Sequence, residues 1–392
     1  MRKILSFLIF AVLSISAYNQ IDPLLSPYYQ NGPYSVVMDS DMTATPNDLL
    51  FFRPSSSTGG PFPTVLFQPG ANGTGTSYIN KHSYDIYWQH LASYGFVVII
   101  INNTAGGPNS TLFTQTHDYI KTKVNNSSHW MHSYVDLNKF IVAGHSNGGM
   151  NATDIIINRP SEIKAIIYMA SYPNPGILGL GAQNVTNYNG KVMLMCGNED
   201  DTSAPLVGAT NDIASNAYQN KFTSVSCKTW VLFNGIGHGG FGNYNNPDQP
   251  VGSIGREPAT ASIRHYICSF LLSQFYASGA AYANLTQPLL KPSSVSEFQN
   301  TCAQLTEVTS LSHHTFASLF PNPANSYTNI SFNQSFSGDC IIYNALGQEI
   351  EHFKLSNEIE YQIDLSQYNK GQYIIQFIDN YGLVSFSKLL KI

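Results

Sequence analysis

The sequence predicts an α/β chain, a mostly parallel sheet with flanking helices, followed by a small all-β sandwich. Three observations lead there. Between about residue 34 and residue 300, apolar strand-like runs alternate with longer helical patterns. Several of these runs, Phe96–Ile101 among them, are continuously apolar, as strands covered on both faces are. Near residue 303 the texture changes to short alternating runs separated by turn signals.

At the start of the chain, Arg2 and Lys3 precede a largely apolar run from Ile4 to Ile15, closed by the small residues Ser16 and Ala17. This is the layout of a secretory signal peptide, expected over residues 1–19. The run is shorter than the roughly 20 apolar residues that cross a bilayer, and no later run reaches that length, so no membrane span is expected.

Residues 20–305 then read as one catalytic-sized domain. Its strand-like runs are Leu49–Phe52, Thr64–Phe67, Phe96–Ile101, Phe140–Ala143, Ala165–Met169, Lys191–Cys196 and Thr229–Phe233. Helical patterns fall between them at His82–Ser93, Asn147–Ile157, Leu206–Tyr218 and Ala259–Phe275. Residues 306–317 are rich in Ser, Thr and His, lack periodicity and read as a linker. Six short runs follow in 318–392: Thr328–Phe332, Asp339–Tyr343, Glu349–Lys354, Glu360–Asp364, Gln372–Ile378 and Val384–Leu390.

Charged residues make up 11% of the 392 and the net charge is −5, where about 25% charged is usual. There is no basic patch for nucleic acid and no acidic tail, and solubility rests on neutral polar side chains. The five cysteines include no C-x-x-C pair, so no zinc or other metal site is expected. In an exported chain they permit disulfides. Cys196 ends one strand and Cys227 precedes another, at opposite edges of a parallel sheet and too far apart to bridge; a pairing of Cys302 with Cys268 or with Cys227 is expected instead.

The chemistry concentrates in Gly144-His145-Ser146-Asn147-Gly148, a G-x-S-x-G run placed between a strand and a helix. That setting marks a nucleophile elbow, in which small neighbours let a serine sit on a strained turn and the following helix aims its N-terminus at a developing oxyanion. The partners of such a serine come in the order acid, then histidine, each on a loop after a later strand. Gly197-Asn198-Glu199-Asp200-Asp201-Thr202 follows one such strand, and Asn234-Gly235-Ile236-Gly237-His238-Gly239-Gly240 follows the next. His238 is the natural base, because His129, His132, His313 and His314 lie elsewhere. The residues alone leave Glu199, Asp200 and Asp201 open as the acid. The loop Phe67-Gln68-Pro69-Gly70-Ala71-Asn72-Gly73 should supply the second oxyanion donor, so Ser146 is expected to act with the N–H groups of Ala71 and Asn147.

On these residues the chain resembles the cutinase and polyester-hydrolase group of α/β-hydrolases, which includes PET hydrolases. The resemblance covers roughly residues 33 to 300. It is carried by Pro69-Gly70, Leu91-Ala92-Ser93-Tyr94-Gly95-Phe96-Val97-Val98, Val135-Asp136-Leu137, the serine elbow, Glu199-Asp200-Asp201-Thr202-Ser203-Ala204-Pro205 and Gly237-His238. It implies a catalytic triad of Ser146, Asp201 and His238, the acid being counted back from the Ala-Pro proline. It also implies substrate contacts at His145, beneath the substrate, and at Tyr172, against its acyl ring. Two positions depart from the family, Ala71 where an aromatic residue stands and Asn147 in place of Met.

The last 75 or so residues resemble a second family. Phe320-Pro321-Asn322-Pro323-Ala324, Asn344-Ala345-Leu346-Gly347, Asp364-Leu365-Ser366, Lys370-Gly371-Gln372-Tyr373 and Lys388-Leu389-Leu390-Lys391 are similar to a type IX secretion C-terminal sorting domain. The resemblance implies the type IX machinery as a partner and release through the periplasm to the cell surface or beyond.

The loops expected around Ser146 (Gly70–Tyr78, Asn102–Ser110, Ser171–Gly190, Thr202–Asn211 and Asn234–Asn246) contain no Lys, Arg, Asp or Glu. A site built for a bound anion normally supplies a cation, because an unpaired charge is costly to desolvate. An uncharged ester or polyester is therefore the expected substrate, in a shallow cleft, with no cofactor and with the chain a monomer. A lipase, a carbohydrate acetyl esterase or a peptidase would share the fold; a non-catalytic protein with a carbohydrate-binding β-module is the alternative of another class.

Overall fold

A computed structural model describes residues 20–44, 46–176, 181–202, 209–305, 317–344, 348–380 and 384–392. The expected signal peptide over 1–19 and the linker up to residue 316 lie outside these residues, as do Ser203-Ala204-Pro205 and Ala345–Gly347.

Among the described residues, nine strands form the first sheet. They are β1 (Val36–Asp41), β2 (Leu49–Pro54), β3 (Phe62–Gln68), β4 (Val97–Ile101), β5 (Val135–His145), β6 (Ala165–Met169), β7 (Lys191–Gly197), β8 (Lys228–Phe233) and β9 (Val295–Asn300), in the spatial order 1-2-4-3-5-6-7-8-9. Strands β4, β3, β5, β6, β7 and β8 run parallel, while β1, β2 and β9 are antiparallel to their neighbours. The helices that matter for the site are α1 (Asp85–Ala92), α2 (Leu112–Val124), α3 (Met131–Tyr134), α4 (Asn147–Asn158), α5 (Thr210–Asn220), α6 (Arg256–Phe275) and α7 (Gly279–Thr286).

Alternation along the strands divides the core in two. Val98 and Ile100 of β4 join one apolar cluster, with Trp88 and Leu91 of α1 and Ile263 and Phe270 of α6. Val97, Ile99 and Ile101 join the other, with Ile120 of α2, Ile155 of α4 and Tyr218 of α5. Successive side chains leave a strand on opposite faces, so a strand covered on both sides must be apolar throughout. That is why the inner strands stand out in the sequence. The edge strands β1 and β9 do not, since most of their residues are partly or fully exposed.

The C-terminal module is one antiparallel sheet of five strands: β10 (Ala317–Phe320), β11 (Tyr327–Asn344), β12 (Glu349–Asp364), β13 (Gly371–Asp379) and β14 (Val384–Lys391). Two long strands take the place of four expected short ones. The register of β11 against β12 shifts between Ser331 and Phe336 and again before Gly338, and such irregularities bend a strand without ending it. Ile330, Phe332, Phe336, Ile342, Leu355, Ile375, Phe377 and Leu389 meet in a single core.

Cys227 and Cys302 form a disulfide, one of the two pairings open from the sequence; Cys196, Cys268 and Cys340 are buried thiols. The sheet explains the choice. Thr229 of β8 lies opposite Asn300 of β9 in the antiparallel ladder, so the residues two before and two after face each other. Their Cα atoms are 4.0 Å apart, across 75 residues of sequence. Closing a loop of that length is worth up to about 4 kcal/mol. Replacing both cysteines by serine should lower the guanidinium midpoint of the catalytic domain accordingly, with unfolding followed by the fluorescence of Trp88, Trp130 and Trp230, which all lie in it. An unchanged midpoint would show that the bridge adds nothing to stability.

Candidate active site

Strands β3, β5, β7 and β8 all run in one direction, and their carboxyl ends carry the candidate residues. Open α/β sheets place ligands beyond those ends.

Ser146 joins the end of β5 to α4 with φ 52° and ψ −124°, a left-handed conformation that strains a residue with a Cβ. Its surroundings hold it there. The Ser146 N–H donates to the Met169 carbonyl at 3.1 Å, and its own carbonyl accepts from Gly149 N–H at 3.0 Å and from the Ser171 hydroxyl at 2.6 Å. The glycines are sterically required. A Cβ at Gly144 would lie 2.2 Å from the Gly148 carbonyl carbon, and one at Gly148 would lie 2.3 Å from the Gln68 carbonyl oxygen. The strand, the turn and the oxyanion loop thus touch backbone to backbone.

His238 is 2% exposed and opens a short 3-10 helix, His238–Phe241. Neighbours hold its loop by main-chain groups. Gly237 N–H donates to the Val251 carbonyl at 2.8 Å, Gly239 N–H to Pro250 at 3.0 Å, and the Tyr87 hydroxyl to the Gly240 carbonyl at 3.0 Å. The Arg256 guanidinium, at the start of α6, donates to the carbonyls of Gly239, Gly242 and Tyr244. This cation near the serine is therefore spent on the backbone.

The acid facing His238 is Asp200, not Asp201. The Asp200 Oδ2 accepts from His238 Nδ1 at 2.8 Å, while its Oδ1 accepts from Thr202 N–H and the Thr210 hydroxyl, each at 3.1 Å. Asp200 is 2% exposed, whereas Asp201 is exposed and makes no hydrogen bond or ion pair with the described residues. The cause is the tightness of the turn. A Cβ at Gly197 would come within 1.9 Å of the Ile236 carbonyl oxygen, so the chain turns at once as β7 ends, with Asp200 N–H bonded to the Gly197 carbonyl. Adjacent side chains then diverge, one inward and one to solvent. Glu199, the third carboxylate, accepts from Ser253 N–H and its hydroxyl and braces the neighbouring loop.

With Nδ1–H donated to Asp200, the imidazole of His238 has its lone pair at Nε2, which is buried and has no hydrogen-bond partner among the described residues. Burial by itself would raise the Asp200 carboxyl; the charge of His238 and the bonds from His238, Thr202 and Thr210 outweigh it and hold the group below the usual carboxylate range.

On the other side of the serine, Asn147 is the first residue of α4, and neither its N–H nor that of Ala71 bonds to the described residues. The oxyanion loop is fixed one residue on, where Asn72 N–H donates to the Thr104 carbonyl at 2.9 Å and the Asn72 side chain pairs with the main chain of Ile79 at 2.7 and 2.8 Å.

The two expected substrate contacts are placed differently. His145 is fully buried, its ring 4.6 Å from that of His238, so it lies beneath the imidazole and offers a substrate no surface. Tyr172 is 3% exposed and fills core volume in the cluster of Tyr168, Val185 and Tyr188. In both cases the sequence identified an aromatic ring near the elbow but not the side it faces. Four side chains that organise the site went unmarked: Tyr84, Ser171, Thr210 and Arg256. Each is an isolated residue outside any motif, and only the folded arrangement brings it to the site. The expected loops Ser171–Gly190 and Thr202–Asn211 are described only in part, residues 177–180 and 203–208 lying outside.

A depressed carboxylate stabilises the fold above its unfolded value and loses that contribution as pH falls through its folded value. The Asp200 contribution is thus fully present at neutral pH and declines below about pH 4. Stability measured from pH 6 to pH 2 should fall less steeply for Asp200→Asn than for the wild type; an equal slope would show that the pair with His238 adds no pH-dependent stability.

Comparison with known proteins agrees with the architecture. Residues 64–250 match the model of the alpha/beta hydrolase family, and residues 318–391 match that of the secretion system C-terminal sorting domain. Two relatives are Cutinase 1 of Thermobifida cellulosilytica and the cutinase of Thermobifida fusca (strain YX), each 27% identical over 228 residues. The aligned part is 56% of this chain and 76% and 66% of the two relatives. Among the described residues no helix is long and apolar enough to cross a membrane. The chain thus has an α/β-hydrolase domain similar in sequence to cutinases, followed by a C-terminal sorting domain that indicates type IX secretion.

Proposed function

We propose that the chain is a serine carboxylic-ester hydrolase in which Ser146 is the nucleophile, His238 the base and Asp200 the acid that orients it. The observation that carries this reading is the buried Asp200–His238 pair at 2.8 Å, with Nε2 free of any partner among the described residues and the ring 4.6 Å from that of His145, the residue before the strained Ser146.

The mechanism follows from that geometry. His238 Nε2 takes the Ser146 hydroxyl proton as the oxygen attacks the ester carbonyl. The charge that forms on the carbonyl oxygen is met by the N–H groups of Ala71 and Asn147 and by the N-terminus of α4. The imidazolium returns its proton to the departing alcohol, leaving an acyl-serine. Water, activated by the same imidazole, then releases the acid and restores the serine. Asp200 stays ionised throughout; its low carboxyl value suits it to balance a transient positive charge rather than to accept a proton.

The substrate class follows from what lines the site. Apart from the loop that carries Glu199, Asp200 and Asp201, the loops expected around Ser146 have no charged side chain, and Arg256 is occupied by backbone carbonyls. A bound anion would therefore find no free cation there, whereas an uncharged ester needs none. The two relatives, both named cutinases, support an ester as the substrate, and a neutral polyester is its polymeric form.

Activity on p-nitrophenyl esters, with amorphous polyester film as the polymer, tests the assignment. Ser146→Ala should lower kcat by about 10⁴-fold or more and abolish labelling by a fluorophosphonate. Asp200→Asn should cost on the order of 10³- to 10⁴-fold, and Asp201→Asn less than about threefold. Half the activity remaining in Ser146→Ala, or a larger loss in Asp201→Asn than in Asp200→Asn, would refute the triad. Faster turnover of esters bearing a free carboxylate would overturn the neutral-substrate assignment.

A further inference from the structure

We propose that Tyr84 is a positioning residue for the catalytic base, its buried hydroxyl tying the oxyanion loop at Gly70 to the ring of His145 on which His238 rests. The inference depends on the triad proposed above and concerns residues outside it.

Tyr84 stands at the N-terminal boundary of α1 and is fully buried, with its ring 4.8 Å from Phe67 at the end of β3. Its oxygen accepts from Gly70 N–H at 3.1 Å and lies 2.7 Å from His145 Nδ1. A phenol oxygen that accepts from a backbone N–H has its own proton left to donate, and His145 Nδ1 is the atom within reach. With the phenol as donor, His145 takes the Nε2–H tautomer and Nδ1 is the acceptor; that Nε2 is buried and has no hydrogen-bond partner among the described residues.

The contact leaves no slack. A Cβ at Gly70 would fall 2.6 Å from His145 Nδ1 and 3.2 Å from the Tyr84 oxygen. The His145 ring is also flanked by Phe241, nearly parallel at 6.2 Å, and by Tyr244 at 6.3 Å, so its plane is set on several sides. Burial, and then the neighbouring His238, push His145 well below the usual histidine range, so a neutral ring lies under the imidazole that must become cationic in the reaction. One hydroxyl thus connects the loop that should hold the oxyanion with His145, which is both the residue before the nucleophile and the ring beneath the base. Removing it leaves the Gly70 N–H and His145 Nδ1 unpaired in a dry interior, a state that folded proteins avoid by shifting.

The consequence is in kcat rather than in binding, because the buried phenol touches no substrate. In the full-length chain, Tyr84→Phe should lower kcat for a neutral p-nitrophenyl ester by about 10- to 100-fold, counted per site titrated with a fluorophosphonate, with KM changed less than about threefold. Adding Tyr84→Phe to His145→Leu should cost no more than His145→Leu alone, and His145→Gln, whose amide oxygen can accept from Tyr84, should lose less than His145→Leu. Independently of any variant, ¹⁵N shifts of labelled histidines in the wild-type chain should report His145 protonated at Nε2. A kcat per site within twofold of wild type in Tyr84→Phe, multiplicative losses in the double variant, or a His145 proton at Nδ1 would each overturn the inference. Ser146→Ala run alongside separates the two proposals: an active Ser146→Ala defeats the triad, whereas an inert one beside a fully active Tyr84→Phe defeats only the role of Tyr84.

Discussion

The whole catalytic edge depends on backbone touching backbone without intervening side chains. Gly148 packs its main chain against the Gln68 carbonyl, Gly144 against Gly148, and Gly197 against the Ile236 carbonyl. These contacts set the spacing between the ends of β3, β5, β7 and β8, and so the distances among the loops that follow. Hydrogen-bond partners can lie within 3 Å of one another only when the strands beneath them approach this closely. A methyl group at any of these positions would fall between 1.9 and 2.3 Å from a backbone atom, so the strand ends and their loops would have to move apart.

The same tightness explains what could be read from the sequence and what could not. The inner strands and the serine elbow are written in local patterns: continuous apolar runs, and small residues around Ser146. His238 follows from strand order. The acid does not, because three carboxylates occupy consecutive positions and the choice is made by a turn whose pitch depends on the contact between Gly197 and Ile236, 39 residues apart in sequence. Counting back from a downstream Ala-Pro lands on Asp201, one residue past the carboxylate that bonds to His238. The orientation of His145 and Tyr172 was hidden for a similar reason: motif position places a residue near a site, while packing decides whether it faces the ligand or the core. Edge strands β1 and β9 were missed because exposed strands need no continuous apolar run.

The C-terminal module shows a different relation between sequence and structure. Its alternating runs indicated an all-β sandwich, and the described residues form an all-β unit as one antiparallel sheet, but the interruptions at 333–338 and 355–359 read as strand ends when they are bends within β11 and β12. Polar residues at a bulge look like a turn in a linear sequence. Three-dimensionally they let one strand cover two parts of a small core.

The cross-link between Cys227 and Cys302 has a mechanical consequence. Its second sulfur lies just past β9, the last strand of the hydrolase sheet, and the antiparallel register of β9 against β8 brings it to the first. Tension applied to the chain beyond Cys302 therefore reaches the sheet through a covalent bond to the residue before β8. The edge strand is spared from being peeled away one hydrogen bond at a time.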